Sequence, residues 1–113
     1  PRALESLADP MLAHAVFFKL SNSTPEAVAR LVAACHQHLS GHEGLLHYSA
    51  GPRDSELVRP VNDRDFDVAL FTVFADRAAH DRYQKHPRHL AFIAEQSATW
   101  SGVRVFDALT EGA

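Results

Sequence analysis

The sequence predicts an α+β chain in the order β-α-β-β-α-β, the ferredoxin-like split βαβ: a four-stranded antiparallel sheet with its helices on one face. Three observations predict it. Four stretches of strand character alternate with helical stretches in that order. The helical stretches open on capping residues, Thr24 followed by Pro25 and, later, Asp76. The first and third strands are apolar on both alternating faces, which fixes how the sheet must be covered.

Taken in order, Pro1 to Pro10 lack periodicity and are expected to be an upstream extension or expression remnant, leaving 11–113 as one domain. Leu12 to Leu20 is the first strand. Ser21-Asn22-Ser23 forms a loop, and the helix after Thr24-Pro25 carries an apolar stripe of Val28, Leu31, Val32, Cys35 and Leu39, spaced three and four apart. Gly41 suits the residue just beyond the helix end. Cys35, inside the stripe, reads as a small buried hydrophobe. Leu45 to Ala50 is the second strand, and Phe66 to Phe74 the third. The charged connection between them, with prolines at 52 and 60, is long enough to be either mobile or a lid. Its arginines, Arg53, Arg59 and Arg64, read as surface charge. A helix from Asp76 should stop near Lys85, because the residue before Pro87 is driven from the helical region. A second helix can start at Pro87 and run to about Thr99, with His86 as a stand-in N-cap. Ser101 to Ala108 closes the sheet.

The two-faced strands carry a further consequence. A sheet covered by helices on one side alternates apolar with polar residues. Here Ala13, Ala15 and Phe17 oppose His14, Val16 and Phe18, and Ala69, Phe71 and Val73 oppose Val68, Leu70 and Phe74. The chain has no further element to cover the second face, so a second copy packed sheet against sheet is expected, a two-fold homodimer.

Composition excludes several classes. With 113 residues the chain is one small domain able to bury roughly 60–70% of its unfolded surface. A net charge of −3 argues against a nucleic-acid-binding surface. No apolar run approaches the ~20 residues that span a bilayer, and a lone cysteine fits the reducing cytoplasm. Eight histidines are the one oddity. His36 and His38 lie two apart on a helix and diverge, while His42 and His47 lie in or beyond the next loop. No spacing matches a zinc signature, so neither metal nor cofactor is expected.

The stretch Tyr83-Gln84-Lys85-His86-Pro87-Arg88-His89 gathers a phenol and two imidazoles at the helix break. On a helix from Pro87, His89 shares a face with Phe92, Ile93, Gln96 and Trp100 and points inward. Burial and the positive helix end both lower an imidazole's pKa and keep it neutral. Tyr83 could donate to a carbonyl or enolate oxygen while His89 takes a proton. Tyr83 and His89 are thus candidate catalytic residues, with His14, Phe92 and Trp100 candidate ligand contacts, His14 lying on a strand face that looks either into the pocket or into the dimer interface. The same pair could instead only hold the kink.

His14-Ala15-Val16-Phe17-Phe18-Lys19, Gly51, Phe66-Asp67, Phe74, Tyr83-x-x-His86-Pro87-x-His89 and Val105-Phe106-Asp107, in this order, resemble the stress-responsive A/B barrel domain (Dabb) family. The resemblance covers about Met11 to Ala108. It implies a ferredoxin-like sandwich that dimerises through its sheets as a dimeric α+β barrel, in most members without an established activity. One similar plant polyketide cyclase, olivetolic acid cyclase, closes a linear polyketide by aldol condensation without metal or cofactor. Its acid-base pair maps onto Tyr83 and His89 and its first-strand histidine onto His14, while a histidine of its third strand falls near Val68. The expectation is a homodimer with an apolar pocket for a small hydrophobic or polyketide-like molecule. A cofactor-independent cyclase or lyase, and a purely structural or stress-protective dimer, are the alternatives.

Overall fold

The structure, a computed structural model, describes residues 10–112. The expected extension at 1–10 lies, except for Pro10, outside the described residues. Element order is β1 (Met11–Leu20), α1 (Pro25–Leu39), β2 (Leu45–Pro52), β3 (Val68–Phe74), α2 (Arg77–Lys85), α3 (Pro87–Gln96), a 3₁₀ turn (Ser97–Thr99) and β4 (Trp100–Thr110). The strands form one antiparallel sheet in the order β2-β3-β1-β4, the ferredoxin-like arrangement expected from the sequence.

Each helix starts where its cap dictates. The Thr24 hydroxyl accepts from the Ala27 amide at 3.1 Å, and Asp76 accepts from the Ala79 amide at 2.8 Å. At the break, His86 Nδ1 accepts from the Arg88 amide at 3.0 Å, so the imidazole does serve as the N-cap of α3. Arg88 then reaches back to the end of α1, donating to the carbonyls of Ser40 at 2.9 Å and Gln37 at 2.6 Å. These bonds satisfy orphaned carbonyls at the helix end and anchor the first turn of α3. Gly44, with φ +79, sits where a Cβ would come within 2.5 Å of the Ala79 Cβ. Only glycine lets α2 dock this closely.

Several boundaries differ from expectation, with β1 starting at Met11 and β4 running on to Thr110. β3 begins at Val68 because the Asp67 amide bonds the Phe18 carbonyl at 2.7 Å while its carboxylate accepts from the Leu20 amide at 2.7 Å. That side chain brackets the end of β1 and takes the residue out of the β3 ladder. β2 continues to Pro52, which an edge strand tolerates. α3 ends at Gln96, and Trp100, expected on its inward face, instead opens β4. Trp100 still reaches the core, its ring 4.9 Å from that of Phe18 and 5.7 Å from that of Phe92.

The core lies between sheet and helices. Leu12, Val16, Phe18 and Leu20 of β1 meet Val68, Leu70 and Phe74 of β3 beneath Leu31, Cys35 and Leu39 of α1 and Phe92 of α3. Cys35 is fully buried, and burial pushes its thiol up to about 12. The other face of the sheet is apolar and open: Phe17 packs edge-on against Phe66, Phe71 and Phe106, and Phe71 and Phe106 remain 46% and 56% exposed. The long connection is tied down by Arg53, which donates to the carbonyls of Arg64 at 2.8 Å and Phe66 at 3.2 Å, and by Arg104, which donates to Asp63 at 2.6 Å. With Lys19 bonded to Asp65, it packs on one end of the open face. No helix among the described residues is long and apolar enough to cross a membrane.

Candidate functional site

Helices α2 and α3 lie towards β1 and leave the helix-side residues of β4, Val103 and Val105, partly uncovered. Between them opens a cleft of about 380 Å³. Its apolar wall includes Val16, Phe18, Leu70, Phe92, Ile93 and Trp100, and its polar wall is His14, His80, Tyr83, Gln84, His89 and Asp107. All five residues expected from the sequence, Tyr83, His89, His14, Phe92 and Trp100, line this one cleft.

Tyr83 comes from the last turn of α2 and His89 from the first turn of α3, across the proline break, with ring centroids 4.7 Å apart. Tyr83 is buried, and desolvation, helped by Cys35 and Tyr48, raises its pKa, so it keeps its proton and is a donor. Burial first, and then the neighbouring His14 and His42, push His89 down to about 4. The Gln84 carbonyl opposes the shift only in part, and Nδ1 of His89 has no hydrogen-bond partner among the described residues. The imidazole is thus neutral near pH 7, and its buried Nδ1 is left over. The indole Nε1 of Trp100 is a second buried polar atom without a partner. Buried polar groups are nearly always satisfied, so these two atoms are free to accept or donate a hydrogen bond from within the cleft. His89 and Tyr83 do not hydrogen-bond each other, and the kink is held by His86 and Arg88.

Two members of the polar wall were not singled out by sequence reasoning. Asp107 of β4 lies directly opposite His14 of β1, and its Oδ1 is 2.5 Å from His14 Nδ1. His80 lies one turn before Tyr83 on α2, its ring 5.0 Å from that of His14. The three-residue spacing of His80 and Tyr83 was a usable signal, since such pairs share a helix face. The His14–Asp107 pairing depends on the β1–β4 register and had no local signal. His42 also supports the site from below, its ring 4.9 Å from Tyr83 and its Nε2 2.8 Å from the His38 carbonyl. Chemically, the cleft offers a neutral acceptor, a phenolic donor and a separate imidazole–carboxylate group around an apolar floor.

Comparison by sequence with curated proteins finds no match. Solved structures share the fold. A Dabb family protein with a ferredoxin-like fold from Mesorhizobium loti is 25% identical, with a TM-score of 0.74, covering 91% of this chain and 99% of that one. A dimeric ferredoxin-like protein from Thermobifida fusca is 20% identical with a TM-score of 0.75, covering 89% of this chain and 92% of its own. A hydroxynitrile lyase from Passiflora edulis is 18% identical with a TM-score of 0.72, covering 93% of this chain and 97% of its own. The model of the stress responsive A/B barrel domain matches residues 12–109, nearly the whole chain. The chain belongs to the Dabb, or stress responsive A/B barrel domain, family.

Proposed function

We propose that this protein is a cytoplasmic homodimer, joined through the open faces of its sheets, whose helix-side cleft binds a small, largely apolar organic molecule carrying an oxygen function. The observation that carries the reading is the unpartnered, buried Nδ1 of His89 beside Tyr83 in an otherwise apolar cleft. A ligand hydroxyl or carbonyl satisfies these groups, and the rest of the molecule removes the surfaces of Phe92, Trp100 and Val105 from water. Each well-placed bond of this kind is worth about 1 kcal/mol net, and leaving a buried partner unmade costs more. The dimer is supported by the apolar open face and by the dimeric relative from Thermobifida fusca.

A second reading makes the cleft a cofactor-independent lyase or cyclase, favoured by the neutral state of His89 next to a protonated Tyr83. His89 would take a proton adjacent to a carbonyl, or from a hydroxyl, while Tyr83 donates to the oxygen that gains charge. A base with a pKa near 4 is weak, so the oxygen-stabilising role of Tyr83 carries much of the burden. The reading is supported by a hydroxynitrile lyase among the proteins of the same fold.

One experiment tests both. The dimer is treated with EDTA and titrated with mandelonitrile and with an alkylated dihydroxybenzoic acid, following binding of both by Trp100 fluorescence and cleavage of mandelonitrile by release of benzaldehyde and cyanide. Binding lost in His89→Ala and weakened in Tyr83→Phe supports the binding reading, and turnover lost in the same variants supports the enzyme. Unchanged binding in both variants removes the pair from the site, and a cleft that takes up none of these probes favours a structural dimer.

A further inference from the structure

The polar wall of the cleft contains a second group that the Tyr83–His89 pair does not use. We propose that His14, His80 and Asp107 form a binding site for one divalent first-row transition-metal ion, such as Zn²⁺ or Co²⁺. One ligand atom from each residue lies within 4.8 Å of the other two. A tetrahedral ion at ordinary Zn–N and Zn–O distances holds its ligand atoms about 3.4 Å apart, so a shift of roughly 1 Å closes the set. The three residues come from β1, α2 and β4, and all face the same cleft.

The partners of each side chain prepare it for the role. His80 Nδ1 lies 3.1 Å from Asp81 Oδ1, and the Gln84 amide nitrogen lies 3.4 Å from His80 Nε2. His80 Nδ1–H donates to the carboxylate, and Nε2 therefore presents its lone pair, held only by a long bond from the Gln84 amide that an ion readily replaces. A carboxylate behind a histidine ligand is the usual way its tautomer and direction are set. His14 Nδ1 and Asp107 Oδ1 lie 2.5 Å apart, and an ion bound between them would replace their hydrogen bond. His14 and His80 side chains are only 8% and 17% exposed, whereas Asp107 is 48% exposed, so the ion enters at the carboxylate. The helices and β4 frame this site on the side of the sheet opposite the apolar open face, so sheet-to-sheet dimerisation leaves it accessible.

Two imidazoles and one carboxylate suit a borderline transition metal rather than Mg²⁺ or Ca²⁺, which prefer oxygen shells. Three protein ligands leave a coordination position open, and here it faces the cleft beside Tyr83, whose ring lies 6.4 Å from that of His14. An oxygen of the bound molecule would complete the shell. That last step rests on the binding reading above, but the ion site does not.

The test uses the full-length protein stripped with EDTA and titrated with CoCl₂, reading the visible band of nitrogen-ligated cobalt and the stoichiometry by equilibrium dialysis. One Co²⁺ per chain is expected, displaced by Zn²⁺. Asp107→Asn and His80→Gln should each weaken it at least about tenfold, and Asp81→Asn by about tenfold. The surface control His36→Gln/His47→Gln should leave it unchanged. Melting curves in EDTA verify that all variants fold equally. Absence of a cobalt band in the parent protein, equal binding in Asp107→Asn and His80→Gln, or loss only in the surface control would each overturn the site, the last showing adventitious binding to exposed histidines. Because the ligand experiment is run in EDTA, failure of the metal site leaves the Tyr83–His89 reading untouched.

Discussion

Along β1, Leu12, Val16 and Phe18 turn towards the helices and are buried, while Ala13, Ala15 and Phe17 turn the other way and are only partly covered. Both sets are apolar, yet they do different work. On the helix side the sheet packs beneath α1, α2 and α3, and a cleft opens beside β4. The polar residues of that face, His14, Thr72 and Asp107, are paired: Thr72 donates to the His14 carbonyl at 2.7 Å, and Asp107 holds the His14 ring. On the open side the phenylalanines pack against one another and against Phe66 of the connection, with polar residues at the margins, His47 and Ser49 on β2 and Lys19 and Arg104 where the connection packs. A residue's apolar character thus says that it will be covered. Which partner covers it follows from the strand parity alone, and with it whether a substitution disturbs folding or assembly.

The contrast can be broken first at Phe92, on the helix side. Phe92→Ala empties the space under α3 and should cost about 3–5 kcal/mol in urea unfolding, with loss of ligand binding as a consequence. A cost below 1 kcal/mol would contradict a packed helix-side core. Next in size is the open face. Phe71→Lys places a charge at the centre of the proposed interface, so sedimentation should show monomers at concentrations where the parent is a dimer, while the far-ultraviolet circular dichroism stays the same. A parent protein that is already monomeric at micromolar concentration would remove the interface altogether.

Acid sharpens the comparison because the helix face carries the buried histidines. His89 remains neutral in the folded chain down to about pH 4 but takes up its proton near 6.5 when unfolded. His42 is shifted the same way, by burial first and then by Arg88 and His86, against the pull of the His38 carbonyl. Below about pH 6.5 the unfolded state therefore binds protons that the folded state refuses. Stability should be flat with respect to these groups above pH 6.5 and fall as pH drops towards 4. Urea midpoints measured across that window should flatten in His89→Gln, and an unchanged slope would show that His89 is not kept neutral. The smallest effect is expected at the cap of α2: Asp76→Ala should cost about 1 kcal/mol, read as a shift in the same urea midpoint, and should leave the oligomeric state alone.

How far the sequence carries depends on how local the rule is. Thr24, Asp76 and the His86-Pro87 break were legible because caps and prolines act on neighbours within three or four residues, and the Tyr83–His89 pair followed from the break. The two-faced strands were legible because side chains alternate with a period of two. Trp100 was misplaced because its spacing from Phe92 suits a helix, and only the 3₁₀ turn at Ser97–Thr99 releases it into β4. Phe66 and Asp67 looked like strand on composition, but Asp67 is drawn off by the Leu20 amide, 47 residues away in the chain.

By itself the sequence determined the order of elements, the position of the helix break and the need to cover both faces of the sheet, since each rests on backbone and periodicity rules confined to a few residues. Tertiary structure alone decided that His14 faces Asp107 and that His80 turns towards both. Those contacts depend on strand register and helix docking, which are set by packing summed over the whole sheet and leave no mark in the spacing of the three residues.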